Sequence, residues 1–202
     1  MPLSVRLTLA ITAVSLCACV PFAYVLPPID ASIDVGPHGG GKPVTTALNV
    51  DVGVRPLALF PELHHRDNDF SLGYSINVYP DLVHGPYGEF THVFVELNPS
   101  STTLWRFRAG GLARLLYDPS IARFGVQALA RAVFESSVLV DEDFTSSTDR
   151  AVTMGHALGE LGFGIYAEGG LRAVQPDLGW TLSIGLIFTL PASAGVGLAW
   201  TL

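Results

Sequence analysis

The stretch Gly179-Trp180-Thr181-Leu182-Ser183-Ile184-Gly185-Leu186-Ile187-Phe188-Thr189-Leu190 decides the fold of this chain. Side chains alternate across a β-strand with a period of two residues. A helix would be weakened by about 1 kcal/mol at each of the two glycines, Gly179 and Gly185. We therefore predict a strand with one apolar face and one polar or small face. The apolar face carries Trp180, Leu182, Ile184, Leu186, Phe188 and Leu190.

The arginines follow the same alternation. The sole lysine of the chain, Lys42, lies outside the alternating stretches. Seven arginines lie within these stretches and share the parity of the polar and small residues: Arg55, Arg106, Arg108, Arg114, Arg123, Arg131 and Arg172. A sheet surface in bulk water normally carries Lys, Thr and Glu. The polar face is therefore predicted to enclose a confined lumen and the apolar face to contact lipid.

Composition limits the class of protein. The chain has 202 residues, 49% hydrophobic and 14% charged, with 21 glycines, which is too apolar for disorder and too glycine-rich for a helical fold. A net charge of -7 argues against nucleic acid as a partner, because phosphate binding needs a basic surface. No stretch reaches the roughly 18 consecutive apolar residues of a spanning helix.

The first residues form a targeting signal, predicted to be a signal peptide over 1–18. Arg6 precedes an apolar run from Leu7 to Cys19. The run ends in Leu16-Cys17-Ala18-Cys19, which resembles the lipobox of bacterial lipoproteins; Cys17 departs from the usual small or β-branched residue. The resemblance implies cleavage before Cys19 and a diacylglycerol on its sulfur. The alternative is an ordinary secretory signal that is removed with both cysteines.

Two further segments complete the predicted organisation. Residues 19–44 are predicted to be a lipidated N-terminus and flexible tether, because Pro27-Pro28, Gly36-Pro37 and Gly39-Gly40-Gly41 break regular structure. Residues 45–202 are predicted to form one barrel. Its eight strands are placed at about 45–59, 69–79, 88–97, 103–117, 122–135, 152–174, 179–190 and 194–202. In the third strand we expect Thr91, Val93 and Val95 outside, and His92, Phe94 and Glu96 inside; Phe90 and Phe94 leave the reverse open.

The chain ends in Gly197-Leu198-Ala199-Trp200-Thr201-Leu202, which resembles the C-terminal signal of bacterial outer-membrane barrels, although Leu202 replaces the usual phenylalanine. Together with the alternation, 45–202 resembles the small eight-stranded outer-membrane barrels of the OmpX and OmpA transmembrane-domain kind. The resemblance implies an all-β, antiparallel up-and-down transmembrane barrel, monomeric, with outer-membrane lipids and the barrel assembly machinery as partners. Both termini would be periplasmic, and the connections near 60–68, 98–102, 136–150 and 191–193 would face outside.

Eight strands leave an interior that side chains fill, so its charges must pair. We predict a lumen charge network of Glu96, Arg106, Arg108, Arg131, Glu135, Glu160, Glu168 and Arg172. Within it, Glu96, Arg106 and Glu135 are placed near the outer ends of neighbouring strands.

No motif predicts catalysis, a cofactor or a metal. His64-His65 are adjacent loop residues without a convergent third ligand. The leading hypothesis is a non-enzymatic barrel in envelope integrity or surface interaction through outer loops. One alternative is a lipid-tethered lipocalin-like barrel, with apolar residues lining a ligand cavity. The other is a lipid A-modifying barrel enzyme, although no local pattern resembles its His, Ser and acid site.

Overall fold

The structure, a computed structural model, describes residues 19–40, 43–59, 67–79, 82–148, 151–174 and 177–200. Apart from one short 3-10 helix at Pro56–Leu59, the regular elements in these ranges are strands. They are β1 Cys19–Leu26, β2 Ile29–Gly39, β3 Thr45–Val54, β4 Asn68–Tyr79, β5 Val83–Leu97, β6 Thr103–Asp118, β7 Arg123–Thr148, β8 Ala151–Val174, β9 Asp177–Leu190 and β10 Ala192–Trp200.

Eight of these strands close into a ring. The order runs from β2 to β9 in sequence, each strand pairing with the next, and β9 pairs back onto β2. The closing ladder is antiparallel and joins Ile29 to Leu190 at one end and Gly39 to Trp180 at the other. The predicted fold class, an eight-stranded antiparallel up-and-down barrel, is therefore confirmed.

The alternation sorts side chains as the sequence predicts on most strands. On β9, Trp180, Ile184 and Phe188 are 42%, 66% and 45% exposed, whereas Thr181 and Ser183 are buried. On β6 and β7, Arg108 and Arg131 are only 3% and 2% exposed. Bulky apolar groups therefore cover the outside of the ring, and the arginines lie within it.

The predicted tether at 19–44 is wrong for most of its length, because β1 and β2 lie there. β2 is the first strand of the ring: Asp30, Ser32 and Asp34 are buried, and Ile33 and Val35 are exposed. The prolines that suggested a tether fit this arrangement. Pro27-Pro28 separates β1 from β2, and the ladder to β9 skips Gly36 and Pro37. A proline lacks the N–H that a continuous ladder needs.

The last predicted barrel strand, 194–202, is also wrong as a ring member, because β2 closes the ring in its place. β10 belongs instead to a second compact unit, whose described residues are 19–26, 141–148, 151–158 and 193–200. There β10 pairs antiparallel with β1, from Cys19 with Trp200 to Leu26 with Ser193. The long loop predicted at 136–150 is likewise mostly strand, since β7 continues to Thr148.

The facing of the third predicted strand, β5 in the structure, changes along its length. The pairing with β6 shifts register between Val93 and Val95, which marks a β-bulge. Before the bulge, Thr91 is buried and Phe90 is exposed; after it, Val95 and Leu97 are exposed. A bulge sets two residues against one and reverses the alternation. The predicted facing is therefore wrong for Thr91 and for Phe94, which is 62% exposed, and right for Val95.

The two ends of the ring differ. At one end β2, β4, β6 and β8 finish and the following strands begin, with two to five residues between them in the sequence. At the other end β2 begins and β9 ends, and β3 and β5 finish there. The predicted placement of 98–102 opposite the end where the chain joins the ring is therefore wrong; residues 60–66 of the predicted connection 60–68 lie outside the described residues. Adding β2 in front of the predicted first strand reverses the end at which the chain joins the ring.

Candidate functional site: the charged lumen

Among the described residues, the inward side chains of the ring form three ion-pair clusters that differ in burial. The rim cluster is Glu96, Arg106 and Glu160, with side chains 15–19% exposed. The shoulder cluster is Asp30, Arg55, Asp69, Arg108 and Glu135, at 3–12%. The central cluster is Asp51, Glu89, Arg114, Arg131 and Glu168, at 1–7%. Charge pairing matters most in the central cluster, because the penalty for an unpaired charge grows as water is excluded.

Arg106 organises the rim cluster. Its two terminal nitrogens donate to the two oxygens of Glu160 at 2.6 Å each, a bidentate pair. Its Nε donates to Glu96 at 3.1 Å, and Ser137 donates to Glu160 at 3.3 Å. β5, β6, β7 and β8 are thereby tied together near the end of the ring where β2 begins.

The shoulder cluster joins strands from opposite parts of the sequence. Arg55 donates to both oxygens of Asp30 at 2.6 and 2.7 Å, and its Nε lies 3.0 Å from Asp69. Arg108 donates to Glu135 at 3.1 Å and lies 3.9 Å from Asp69. Asp69 is therefore shared by two arginines, and the first strand of the ring is held through Asp30.

The central cluster crosses the ring. Arg131 donates to Glu89 at 3.0 Å, to Asp51 at 3.0 Å and to Glu168 at 2.6 and 2.9 Å. Arg114 donates to Asp51 at 2.6 Å and to Glu168 at 3.1 Å. Two arginines thus bridge three carboxylates on β3, β5 and β8, which fills the middle of the lumen with paired charge.

Tyr166 joins this cluster to β2. Its ring lies under the guanidinium of Arg131, 4.4 Å from centroid to Cζ, a cation–π contact. Its hydroxyl donates to Asp34 at 2.8 Å, and Asn49 donates to the other oxygen of Asp34 at 2.8 Å. Tyr166 therefore packs in the lumen and links Arg131 to Asp34 on β2.

A cavity of about 260 Å³ lies beside the rim and shoulder clusters. Its walls include Arg55, Asp69, Arg106, Arg108 and Glu135. On the short-turn side of the central cluster, a second void measures only about 20 Å³, lined in part by Asn49, Gln127 and Arg172. The lumen thus holds space for water at one end and is filled by side chains toward the other.

The predicted network splits in the structure. Arg106, Glu96 and Glu160 meet in the rim cluster; Arg108 and Glu135 lie in the shoulder cluster, and Arg131 and Glu168 in the central one. Glu135 pairs with Arg108 at 3.1 Å, which puts it in the shoulder cluster and apart from Glu96 and Arg106. Arg172 lines the small void near the short turns.

Sequence reasoning missed five acids and left two inward arginines out of the network. The acids are Asp30, Asp34, Asp51, Asp69 and Glu89, and the arginines are Arg55 and Arg114. The alternation of Ile29-Asp30-Ala31-Ser32-Ile33-Asp34 carried the signal for the first two acids. It was hidden by the neighbouring prolines and glycines.

His84 and His92, which lie outside the ion-pair clusters, each make a hydrogen-bonding contact with one polar side chain rather than with a catalytic set of residues. His84 contacts Tyr74 at 2.6 Å, and His92 contacts Asn68 at 2.9 Å. His64 and His65 lie outside the described residues. Within the described ranges, no group of three or more His, Cys, Asp or Glu side chains is placed to hold a metal ion. No helix there has the length and apolar character to cross a membrane.

His156 lies on β8, in the part of that strand that belongs to the second compact unit. Its Nε2 is 3.0 Å from Asp141 and its Nδ1 is 3.0 Å from Asp143. The hydrogen bond to Asp143 and the charge of Asp141 raise the pKa of His156 above its usual value. The two carboxylates therefore favour the imidazolium form at this exposed position.

A closed antiparallel ring with an apolar outside and a charged, filled lumen has the architecture of a small outer-membrane-type β-barrel. Among solved structures, the chain is similar to Neisserial surface protein A, with a TM-score of 0.37 and 11% identity over 83% of this chain and 98% of that one. It is also similar to the N-terminal β-barrel domain of Pseudomonas aeruginosa OprF, with a TM-score of 0.30 and 12% identity over 83% and 100%. No family model and no curated protein matches the sequence. These likenesses concern the fold alone; the barrel itself is defined by the strand pairing of this chain.

Proposed function

We propose that this chain is a non-enzymatic barrel of the bacterial outer membrane that contributes to the integrity of the envelope. The observation that carries the proposal is the inverted arrangement of the ring. Arg114 and Arg131 have side chains only 1% exposed, whereas Ile184 is 66% exposed. In water this arrangement would expose apolar surface and bury charge, both at a cost; in a bilayer the apolar surface contacts acyl chains.

The dimensions support the same environment. A strand of about 9–11 residues crosses the hydrocarbon core when tilted, and β2, β3 and β4 have 11, 10 and 12 residues. Closure matters as well, because lipid offers no hydrogen bonds to a free sheet edge. The ladder between β2 and β9 leaves no such edge in the ring.

A lipocalin-like carrier would have the opposite arrangement, with apolar side chains lining a cavity. The 260 Å³ cavity is lined instead by arginines and carboxylates. Two apolar depressions of about 690 and 620 Å³ lie on the outer face, with Ile184 and Phe124 among their residues. They suit acyl chains of the surrounding bilayer rather than an enclosed ligand.

The proposed role is structural because ion pairs brace the lumen. Arg and carboxylate pairs link β2, β3, β4, β5, β6, β7 and β8 across the interior. Such bracing resists deformation of the ring. Cys19, at the start of β1, is proposed to carry the lipid anchor, which would give the chain a second attachment to the membrane.

The decisive comparison is between wild type and Cys19→Ala. If the barrel spans the membrane, Cys19→Ala stays in the membrane fraction after carbonate extraction and still migrates differently on gels when unboiled and boiled. If Cys19→Ala is released as soluble protein, the chain is a tethered soluble barrel and the proposal fails. Cys17→Ala is the matched control, since it leaves the acylation position intact. Incorporation of labelled palmitate into Cys17→Ala but not Cys19→Ala tests the anchor separately.

A further inference from the structure

We infer that the 620 Å³ depression on the outer face of the ring binds one phospholipid, with the ester and phosphate oxygens at a polar end and an acyl chain along an apolar trough. The inference rests on the proposed membrane barrel and assigns a specific lipid site to it. The depression is lined mainly by residues of β4, β5, β6 and β7, all within the ring.

A row of four rings forms the polar end of the depression. The strand register places His84 opposite Tyr117, and Tyr117 opposite Phe124. Their ring centroids are 5.7 Å and 5.0 Å apart, and Tyr74 continues the row at 5.9 Å from His84. Tyrosine and histidine combine an apolar body with a polar tip, a combination suited to the boundary between lipid and water.

The residues on either side of this row differ in polarity. One step nearer the strand ends, Asp118 pairs with Arg123 at the last position of the ladder between β6 and β7. On the other side, Leu115 pairs with Val126, and their side chains are 60% and 54% exposed on the outer face. Polarity therefore falls from the strand ends into the trough, as it does along a phospholipid from its headgroup to its acyl chains.

The row also supplies hydrogen-bond donors. The hydroxyl of Tyr74 lies 2.6 Å from Nδ1 of His84. When this hydroxyl donates to Nδ1, the imidazole proton is on Nε2, which is then an N–H donor in the wall of the depression. The hydroxyl of Tyr117 is a second donor in the same wall. The ester and phosphate oxygens of a phospholipid are acceptors, so the two sets of groups are complementary.

The larger depression on the outer face, of about 690 Å³, provides an internal comparison. Of the described residues that line it, Tyr166 alone has a polar side chain, and its hydroxyl donates to Asp34 at 2.8 Å in the lumen. Sites that bind small molecules combine a mostly apolar lining with a few placed polar groups. The smaller depression has this combination, whereas the larger one offers contact to acyl chains without holding a headgroup.

The test is native mass spectrometry of the full chain, released from detergent micelles that contain dioleoyl phosphatidylethanolamine. Leu115→Trp fills the smaller depression, and Ile184→Trp fills the larger one as the matched control. Both positions are on the outer face, at 60% and 66% exposure. His84→Phe keeps a ring in the row and removes its hydrogen-bond donor. Each variant is compared with wild type only when its heat-modifiable band matches.

Wild type should retain one phosphatidylethanolamine per chain, as should Ile184→Trp, and Leu115→Trp should lose it. His84→Phe should weaken retention about fivefold, the effect of one hydrogen bond. Equal retention in the two tryptophan variants, unchanged retention in His84→Phe, or a wild type without a discrete one-lipid species overturns the site. A two-chain species abolished by Leu115→Trp also overturns it and assigns the depression to a second copy of the chain. These outcomes leave the membrane barrel standing, which fails only if carbonate extracts the Cys19→Ala chain.

Discussion

Replacing Arg131 with methionine is the most informative perturbation of the lumen. The guanidinium of Arg131 holds Glu89, Asp51 and Glu168 at 2.6–3.0 Å, and its side chain is 1% exposed. Methionine keeps much of the side-chain length and removes the charge. Asp51 and Glu168 would then keep only their contacts with Arg114, and Glu89 would lose its ion pair with Arg131. Repulsion among the three buried carboxylates would act where water does not screen it.

The expected loss of stability follows from this geometry. Removing one partner of a buried ion pair costs about 3–5 kcal/mol, because the remaining charge is left without compensation. The four hydrogen bonds of Arg131 would sum to more at about 1.5–3 kcal/mol each, but contributions within one network are not additive. We therefore expect Arg131→Met to lower the free energy of unfolding by about 3–5 kcal/mol.

The assay is reversible urea unfolding in detergent micelles, followed by tryptophan fluorescence and by the fraction of the heat-modifiable band. Arg123→Met is the control, because Arg123 is exposed at the start of β7 and a surface ion pair contributes less than about 1 kcal/mol. Adding Glu89→Leu to Arg131→Met should recover at least about 1 kcal/mol of the loss expected from the two single changes, since it removes a stranded carboxylate. A loss below about 1 kcal/mol for Arg131→Met, or strict additivity in the double variant, would refute the reasoning.

Three further changes test other parts of the structure. Phe188→Arg, on the outer face, should lower the free energy of unfolding in a bilayer by about 2–4 kcal/mol if residue 188 lies near the midplane. The control Phe188→Leu should lower it less. Equal unfolding curves for the two variants in lipid vesicles would contradict a lipid-facing position. Gly85→Ala should destabilise the ring and lower the yield of the heat-modifiable band, because a Cβ there would overlap the carbonyl oxygen of Leu115. The raised pKa of His156 means that its contribution to local stability is present below the usual pKa and disappears as pH rises through the raised value. NMR titration should show this raised pKa, and Asp143→Asn should lower it toward the usual value; an identical titration in the variant would contradict the assignment.

The sequence predicts which way most side chains point. Alternation alone places Arg108 and Arg131 inside and Trp180, Ile184 and Phe188 outside, because the period of a strand is fixed by backbone geometry. It fails at Thr91 and Phe94, where a bulge adds one residue to β5 and reverses the parity. The sequence Thr91-His92-Val93-Phe94 does not reveal the bulge, because either assignment of inside and outside places bulky side chains on both faces of the strand.

The first ring strand and the ion-pair partners are harder to predict. β2 contains Gly36 and Pro37, residues that usually end a strand. It nevertheless forms part of the ring, because its alternating aspartates lie buried in the lumen. The partners of each arginine depend on how far neighbouring strands are staggered around the ring. Arg131 meets Asp51 across 80 residues of sequence. That stagger is set by closure between β2 and β9, which no local pattern reports.

An oxygen-collision scan of spin labels along residues 179–190 in lipid vesicles tests the inverted barrel most directly. Oxygen should strongly enhance the relaxation of spin labels on the outer face, and a water-soluble nickel complex should enhance it only weakly; these labels are at 180, 182, 184, 186, 188 and 190. At the alternate positions, both reagents should enhance relaxation only weakly. A strong nickel response at 184 and 188, with no period of two, would contradict a lipid-facing outer surface.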